Sequence, residues 1–411
     1  MRFLHTSDWH LGHTLKGWSR SEEHAAFLGW LEGALVQEEI DVLLVAGDIF
    51  DTANPSAAAQ ETWYAFLARA RRRNPDLDIV VIGGNHDSAS RLDAPNPLLR
   101  ALGVHVVGGF LRLGERVQDI DSLLVPVTGR DGERAIVAAV PFLRPPDLPV
   151  LEVGEDDALV EGVRAVYREV TDRALTRSSG GAIVAMGHLY MAGGELSELS
   201  ERRILGGNQH ALPVDLFPPE LVYVALGHLH RAQRLGDGRV RYSGSPIPLS
   251  MAEAGYPHQV VLVDVRGGVL ESSRALHVPH RVEMMRIPEA GSAALPEVIL
   301  AIKELPERST IEESLRPFLD VEIRREKPEP GLQQQILDAV SDRAVRLVRI
   351  ATVDTGGKLP LADALRGKTL DALTPEQVFV ERHRRHYEAP PTPELIAAFH
   401  ELLAVAHAGA S

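Results

Sequence analysis

The sequence contains no cysteine, which excludes disulfides, thiolate metal ligands and thiol catalysis together. It has no apolar run near the roughly 18 residues that a membrane-spanning helix needs. Its opening, MRFLHTSDWH, lacks the basic start and apolar stretch of a secretory leader. A cytoplasmic protein is therefore expected. Positive charge is in deficit: 43 Lys and Arg face 57 Asp and Glu, for a formal net charge of −14. That balance argues against coating a polyanion by bulk electrostatics, so any such contact needs a local basic surface or bound cations. What remains is ordinary globular material, 45% hydrophobic and 24% charged, and its 411 residues are enough for two or three domains.

Up to about residue 275 one pattern recurs, a short aliphatic run followed by a polar or glycine-containing turn. The runs are Arg2–Leu4, Val42–Ala46, Ile79–Ile82, Ile136–Val140, Ile183–Met186, Val222–Leu226 and Val260–Val265. Across Glu22–Glu38, Phe27, Leu28, Leu31, Leu35 and Ile40 recur near a 3.6-residue period, which predicts a helix. Ala57–Arg73 behaves likewise, with Trp63, Phe66 and Leu67 inward and Arg69, Arg71, Arg72 and Arg73 at its end. Those arginines suit a helix C-terminus; the lesser alternative makes Arg69, Arg72 and Arg73, with Arg91, candidates for a nucleic-acid backbone contact. Helices between early strands, then strand-rich sequence, predict an α/β domain with a mixed sheet over residues 1–278.

From 279 to 355 the texture changes. A helix near Ala294–Glu304 precedes a strand, helix and strand at Leu319–Ile323, Leu332–Val340 and Ala344–Ile350, which predicts a small α+β domain. Residues 356–374, with Gly356, Gly357 and Pro360, read as a linker. The tail, 375–411, is expected to hold two helices, Pro375–Tyr387 and Pro393–His407, split at Ala389–Pro390–Pro391. Leu395, Ile396, Phe399, Leu402, Leu403 and Ala406 form an apolar stripe there, joined by Phe379 from the first helix. The stripe either packs on the chain's own core or docks a partner. Arg382, Arg384 and Arg385 are either a solvated face or an approach to DNA.

Five short blocks end apolar runs: Asp8 with His10, Gly47–Asp48, Gly84–Asn85–His86–Asp87, Gly187–His188 and Gly227–His228–Leu229–His230. Ligands bind at the carboxyl edge of α/β sheets, so blocks at strand ends can converge. One such block could be merely a turn; five of them after apolar runs are not explained that way. Carboxylate, imidazole and amide oxygen are donors for hard or borderline divalent ions. Asp8, His10, Asp48, Asn85, His188, His228 and His230 exceed one closed site of about four ligands and suit two ions about 3.5–4 Å apart. Asp48 is the expected bridge. In Asp8–Trp9–His10 and His228–Leu229–His230, an extended backbone would point residues i and i+2 the same way. His86 and Asp51 are left beside the ligands as the expected catalytic pair, the carboxylate fixing the imidazole tautomer and favouring its cationic form. Asp87 is the alternative partner. A cationic His86 would steady the phosphorane or protonate the leaving oxygen, and water activated by two ions would be the nucleophile.

The set Asp-x-His, Gly-Asp-x-x-Asp, Gly-Asn-His-Asp, Gly-His and Gly-His-x-His resembles the signature of the calcineurin-like metallophosphoesterases. The surrounding segments His5–Gly12, Ala46–Asp51, Gly84–Ser88, Pro141–Pro145, Ala225–Arg231 and Tyr242–Leu249 resemble the SbcD nuclease family within them, over essentially the whole chain. The resemblance implies a two-layer β-sandwich flanked by helices and two divalent metals, most simply Mn²⁺. It assigns one metal to Asp8, His10, Asp48 and His230, the other to Asp48, Asn85, His188 and His228, and catalysis to His86. It also implies 3′-to-5′ exonuclease action on duplex ends and endonuclease action on single strands and hairpins, in DNA repair and recombination at the nucleoid. A homodimer is implied, bound through the tail to a coiled-coil ATPase, SbcC, with residues 279–355 capping the metals and positioning DNA. Archaeal relatives carry histidine where this chain has Asp51, so that histidine's role does not transfer. Ligand type alone does not separate Mn²⁺ from iron or zinc. Two other functions compete: a phosphoesterase for small esters, which leaves residues 280–411 without a task, and a scaffold, which should have lost ligands.

Overall fold

The computed structural model describes residues 1–110, 112–113, 116–117, 120–149, 155–195, 211–325, 329–354, 375–387 and 390–408. The expected linker at 356–374, Ala389 and the side chains of Arg385 and Ala406 lie outside the described residues. The first half of the larger domain supplies strands β1 (Arg2–Thr6), β2 (Thr14–Leu15), β3 (Trp18–Ser19), β4 (Val42–Ala46), β5 (Asp78–Ile82) and β6 (Val104–Val107). Its helices are α1 (Ser21–Gln37), α2 (Ala57–Arg73), α3 (Ala89–Asp93) and α4 (Asn96–Arg100). The second half supplies β7 (Leu124–Thr128), β8 (Arg134–Ala139), α5 (Glu155–Ser178), β9 (Ala182–His188) and β10 (Tyr223–Gly227). Then follow β11 (Gln233–Leu235), β12 (Val240–Tyr242), β13 (Gln259–Arg266) and β14 (Val269–His277).

Twelve of these strands form two six-stranded sheets, ordered β14-β13-β1-β4-β5-β6 and β11-β12-β10-β9-β8-β7, and β2 and β3 pair as a separate hairpin. The period-2 alternation explains both the continuous apolar runs and the layering. In β4, Val42, Leu44 and Ala46 face the core between the sheets, while Leu43 and Val45 face α1 and α2. In β5, Val80 and Ile82 again face inward between the sheets, and Ile79 and Val81 face the helices. Phe27, Leu28, Leu31, Leu35, Trp63, Phe66 and Leu67 complete the helical layer, as their spacing predicts. Burying one such side chain contributes about 1.5–3 kcal/mol, so this double burial fixes strand ends firmly. The ends of parallel β1, β4 and β5, and of parallel β9 and β10, carry the five blocks.

The smaller unit reads β15 (Met284–Ile287), α6 (Leu295–Lys303), β16 (Phe318–Arg325), α7 (Leu332–Val340) and β17 (Arg346–Asp354). Its three strands are parallel, and β15 has no counterpart in the sequence-based expectation. Strictly alternating strands and helices make that parallel arrangement the natural one. It meets the larger domain where Leu15, Val282, Phe318 and Val348 cluster and Trp18 Nε1 donates to Leu347 O at 3.3 Å. In the tail, α8 (Pro375–Tyr387) and α9 (Pro393–Ala408) pair through Phe379 and Phe399, whose rings stack at 4.3 Å. Leu395 and Leu402 stay exposed.

Candidate metal centre

The first three loops are stitched together before any side chain is considered. Asp8 N donates to Gly47 O (3.0 Å), His10 N to Asp48 O (3.0 Å) and Leu11 N to Ile49 O (2.9 Å). Asp87 reinforces the seam: its buried carboxylate accepts from Gly84 N (2.9 Å), Phe50 N (3.0 Å) and Ile49 N (3.1 Å). Burial, and then the nearby Asp48 charge, push Asp87 up to about 6. Asp87 is thus a staple between loops and not a partner of His86. Trp9 anchors the β1 loop in the helical layer, edge-on to Phe27, Trp63 and Phe66 at 5.3–5.4 Å between ring centroids. Gly84 is obligatory, since a Cβ there would collide with the Asp48 carboxylate.

The backbone at the blocks departs from the extended form expected of them. Asp8 (φ 55°), His10 (φ 47°), Asp48 (φ 51°) and His228 (φ 100°) all lie at positive φ. Asp8 and His10 therefore converge from left-handed backbone positions and not by simple strand alternation. Each such residue costs of order 1–3 kcal/mol, and clusters of them mark functional sites.

All seven expected ligands come together, mostly buried. One ligand atom each from Asp8, His10 and His230 lies within 4.8 Å of the others, as do those of Asp8, Asp48 and His188. Asp48 Oδ2 stands between the two halves, 3.6 Å from His10 Nε2 and 3.3 Å from His188 Nε2. Asn85 Oδ1 faces His188 Nε2 at 2.9 Å and His228 Nδ1 at 3.0 Å. His188 Nδ1–H donates to Ala46 O (2.9 Å), so in the neutral ring Nε2 is a lone pair aimed at another acceptor. His10 Nε2 is buried and has no hydrogen-bond partner. The His10 and His188 Nε2 atoms converging on the Asp48 carboxylate are what a divalent cation resolves, so these residues fit divalent metal.

Electrostatics agree. Burial lowers His10, and burial together with His188 lowers His228 to about 3, keeping both in the neutral form a metal needs. Burial also opposes charge on His188, but the Asp48 carboxylate outweighs it and raises His188 to about 9. Metal binding must displace that proton. Burial would raise Asp48, yet His188 and His10 hold it well below the usual carboxylate range.

His86 and Asp51 meet differently from expectation. His86 Nδ1–H donates to the main-chain carbonyl of Asp51 (2.8 Å), and His86 N donates to Asp48 Oδ1 (2.8 Å). The Asp51 carboxylate turns instead to His13 Nδ1 (3.1 Å) and His10 Nδ1 (3.4 Å). Asp51 thus fixes the His86 tautomer with its backbone and a candidate ligand with its side chain. The His86 ring packs edge-on against His10 at 4.7 Å. Of the arginines singled out, Arg69 and Arg73 pair with Glu32 on α1, Arg71 donates to Leu77 O, and Arg72 and Arg91 are exposed.

Sequence reasoning missed Glu253. It is fully buried and accepts from His230 Nδ1–H (3.0 Å) and Leu249 N (2.8 Å), orienting His230 as carboxylates orient metal-binding histidines. Its separation of 23 positions from His230 hid it. Glu253→Gln is expected to weaken metal affinity by roughly 10–100-fold in titration calorimetry; unchanged affinity would limit Glu253 to folding its loop.

Above the cluster lies a cavity of about 570 Å³, walled on one side by His10, Asp51, His86 and His230 and on the other by the small domain's Arg286, Glu322, Val348 and Arg349. The chain belongs to the calcineurin-like phosphoesterases, whose family model matches residues 1–232. A second model, the type 5 capsule protein repressor C-terminal domain, matches residues 280–387. The SbcD subunit of the SbcCD nuclease from Rhodobacter capsulatus is 45% identical over 386 residues, covering 92% of this chain and 93% of its own. That of Escherichia coli (strain K12) is 32% identical over 391 residues, 93% and 92% of the two chains. That of Bacillus subtilis (strain 168) is 38% identical over 276 residues, 65% and 67%. Within the phosphoesterases the chain is thus a member of the SbcD family, and it is a metal-dependent phosphodiester hydrolase.

Proposed function

We propose that this chain is the nuclease subunit of an SbcCD-type complex and cuts DNA in repair and recombination, using two Mn²⁺ ions. One observation carries the reading: seven oxygen and nitrogen donors, Asp48 among them, gather beneath a cavity that a second domain helps to wall. Asp8, His10, Asp48 and His230 would hold one ion, and Asp48, Asn85, His188 and His228 the other. Such ions would supply positive charge for the phosphate oxygens and make hydroxide available near neutral pH as the nucleophile toward phosphorus. His86 then hydrogen-bonds the phosphate or protonates the leaving oxygen from Nε2, because Nδ1 is committed to Asp51 O. Asp87 and Glu253 keep ligand loops in place, so little reorganisation accompanies the reaction.

The exposed Leu98 and Leu102, at 74% and 50%, favour a homodimer through the α3–α4 segment. Exposed Leu395 and Leu402 on α9 favour docking of the tail onto the coiled-coil ATPase, with Phe379 and Phe399 holding the helix pair together and Leu403 half-buried beside them. No helix among the described residues is long and apolar enough to cross a membrane; action on nucleoid DNA in the cytoplasm is part of this proposal. The test is circular single-stranded DNA incubated with the purified chain and Mn²⁺. A circle offers no end and needs no melting. Nicking that EDTA stops is expected; intact circles beside rapid hydrolysis of a small aryl diester would contradict the nuclease assignment.

A further inference from the structure

The small domain's sheet has two faces of opposite character. Met285, Ile287, Leu319, Val321 and Ile323 make the domain's own core with α6 and α7. On the other face, Met284, Phe318 and Val348, with Val282 just before β15, pack against the larger domain at Leu15. Beside that apolar seam the same face becomes charged. Arg286 and Asp320 are register partners across β15 and β16, as are Asp320 and Arg349 across β16 and β17. Cross-strand partners stand side by side, so the three form one row.

Asp320 is fully buried and accepts from Arg286 Nε (3.1 Å), Arg349 Nε (2.8 Å) and Arg349 Nη2 (2.8 Å). One carboxylate thus orients two guanidinium groups, and the row keeps a net positive charge. Arg286 donates to it through Nε alone, and both arginine side chains remain more than a third exposed, 38% and 39%. Both line the cavity opposite His10, Asp51, His86 and His230. Lys16, at the positive-φ tip of the β2–β3 hairpin, lines the same cavity. Glu322 opposes this charge, 3.9 Å from Arg349 Nη2.

Packing alone does not account for the row. Apolar residues of similar volume avoid the desolvation cost of a buried ion pair and stabilise as well or better. A guanidinium fork held rigid at a cavity wall is instead suited to phosphate oxygens, which it meets bidentately. We propose that Arg286 and Arg349, oriented by Asp320 and assisted by Lys16, grip a backbone phosphate next to the one being cut. The inference rests on the nuclease reading and says how that substrate is held. It also supplies the local basic surface that the overall net charge of −14 otherwise denies to a DNA-cutting protein.

The experiment compares the full chain with Arg286→Gln, Arg349→Gln and Arg286→Lys, all with Mn²⁺, on two substrates. One is a single-stranded oligonucleotide; the other is bis(4-nitrophenyl) phosphate, which has no neighbouring phosphate. Each Gln variant is expected to lower kcat/KM on the oligonucleotide by about 10- to 100-fold, the scale of a missing charge-assisted hydrogen bond, chiefly through KM. Hydrolysis of the aryl diester stays unchanged. The log–log dependence of kcat/KM on salt becomes shallower by about 0.7 for each phosphate that is no longer neutralised. Arg286→Lys, which keeps the charge but not the fork, falls between wild type and Arg286→Gln. Equal losses on both substrates, or an oligonucleotide rate and salt slope that do not move, overturn the proposal. A wild-type chain that hydrolyses the aryl diester but not the oligonucleotide refutes the nuclease reading itself, an outcome visible before any variant is made.

Discussion

Asp48→Ala is expected to abolish activity and to remove metal from both halves of the centre together. Its carboxylate approaches both histidine sets, with Oδ2 near His10 Nε2 and His188 Nε2. Its other oxygen accepts from His86 N, so the residue also positions the loop that carries Asn85 and His86. Removing it takes the carboxylate away from His10 Nε2 and His188 Nε2 and would deprive both ions of a shared negative charge. The expected fall in kcat/KM is roughly 10³-fold or more, as befits the loss of several kcal/mol of transition-state stabilisation. Metal analysis of the purified variant should find both equivalents gone. Loss of a single equivalent would show that Asp48 serves one ion and that another group bridges.

His86→Gln should separate chemistry from metal binding. His86 is anchored through Nδ1 to Asp51 O, its ring lies beside His10, and it lines the cavity wall. A general acid or phosphate-stabilising group of this kind contributes about 10²–10⁴-fold, so kcat should fall by that factor while metal stoichiometry is unchanged. One arrangement pulls the other way: ligand atoms of His10, Asp48 and His86 also lie within 4.8 Å of one another. Loss of a metal equivalent in the variant would therefore make His86 a ligand. Asp51→Asn provides the contrast. Because the Asp51 carboxylate meets His10 and His13 while its carbonyl holds His86, this change should weaken metal affinity and leave His86 in place.

Much of this was legible in the chain because each block follows an apolar run buried on both faces, and such a run ends where its sheet ends. Val42–Ala46 followed by Gly47–Asp48 is the clearest case. The layered sheets were legible for the same reason, since the two faces of β4 enter two different cores. Edge strands were not. In β14 exposure varies without a clean alternation, and no period separates it from a loop. Glu253 was hidden because its partner His230 is 23 positions away. The direction of the Asp51 carboxylate depends on His13, 38 positions away, and on a side-chain rotamer that no local pattern dictates. The positive φ values of Asp8, His10, Asp48 and His228 were equally out of reach, because glycine is the residue that advertises that conformation and none of these is glycine.

The most direct test of the central claim is a crystal of the chain soaked in Mn²⁺, with anomalous scattering used to locate the ions. Two peaks are predicted, both within bonding distance of Asp48, one flanked by Asp8, His10 and His230 and the other by Asn85, His188 and His228. A single peak at saturating Mn²⁺, or two peaks that do not share Asp48, would contradict the two-metal account.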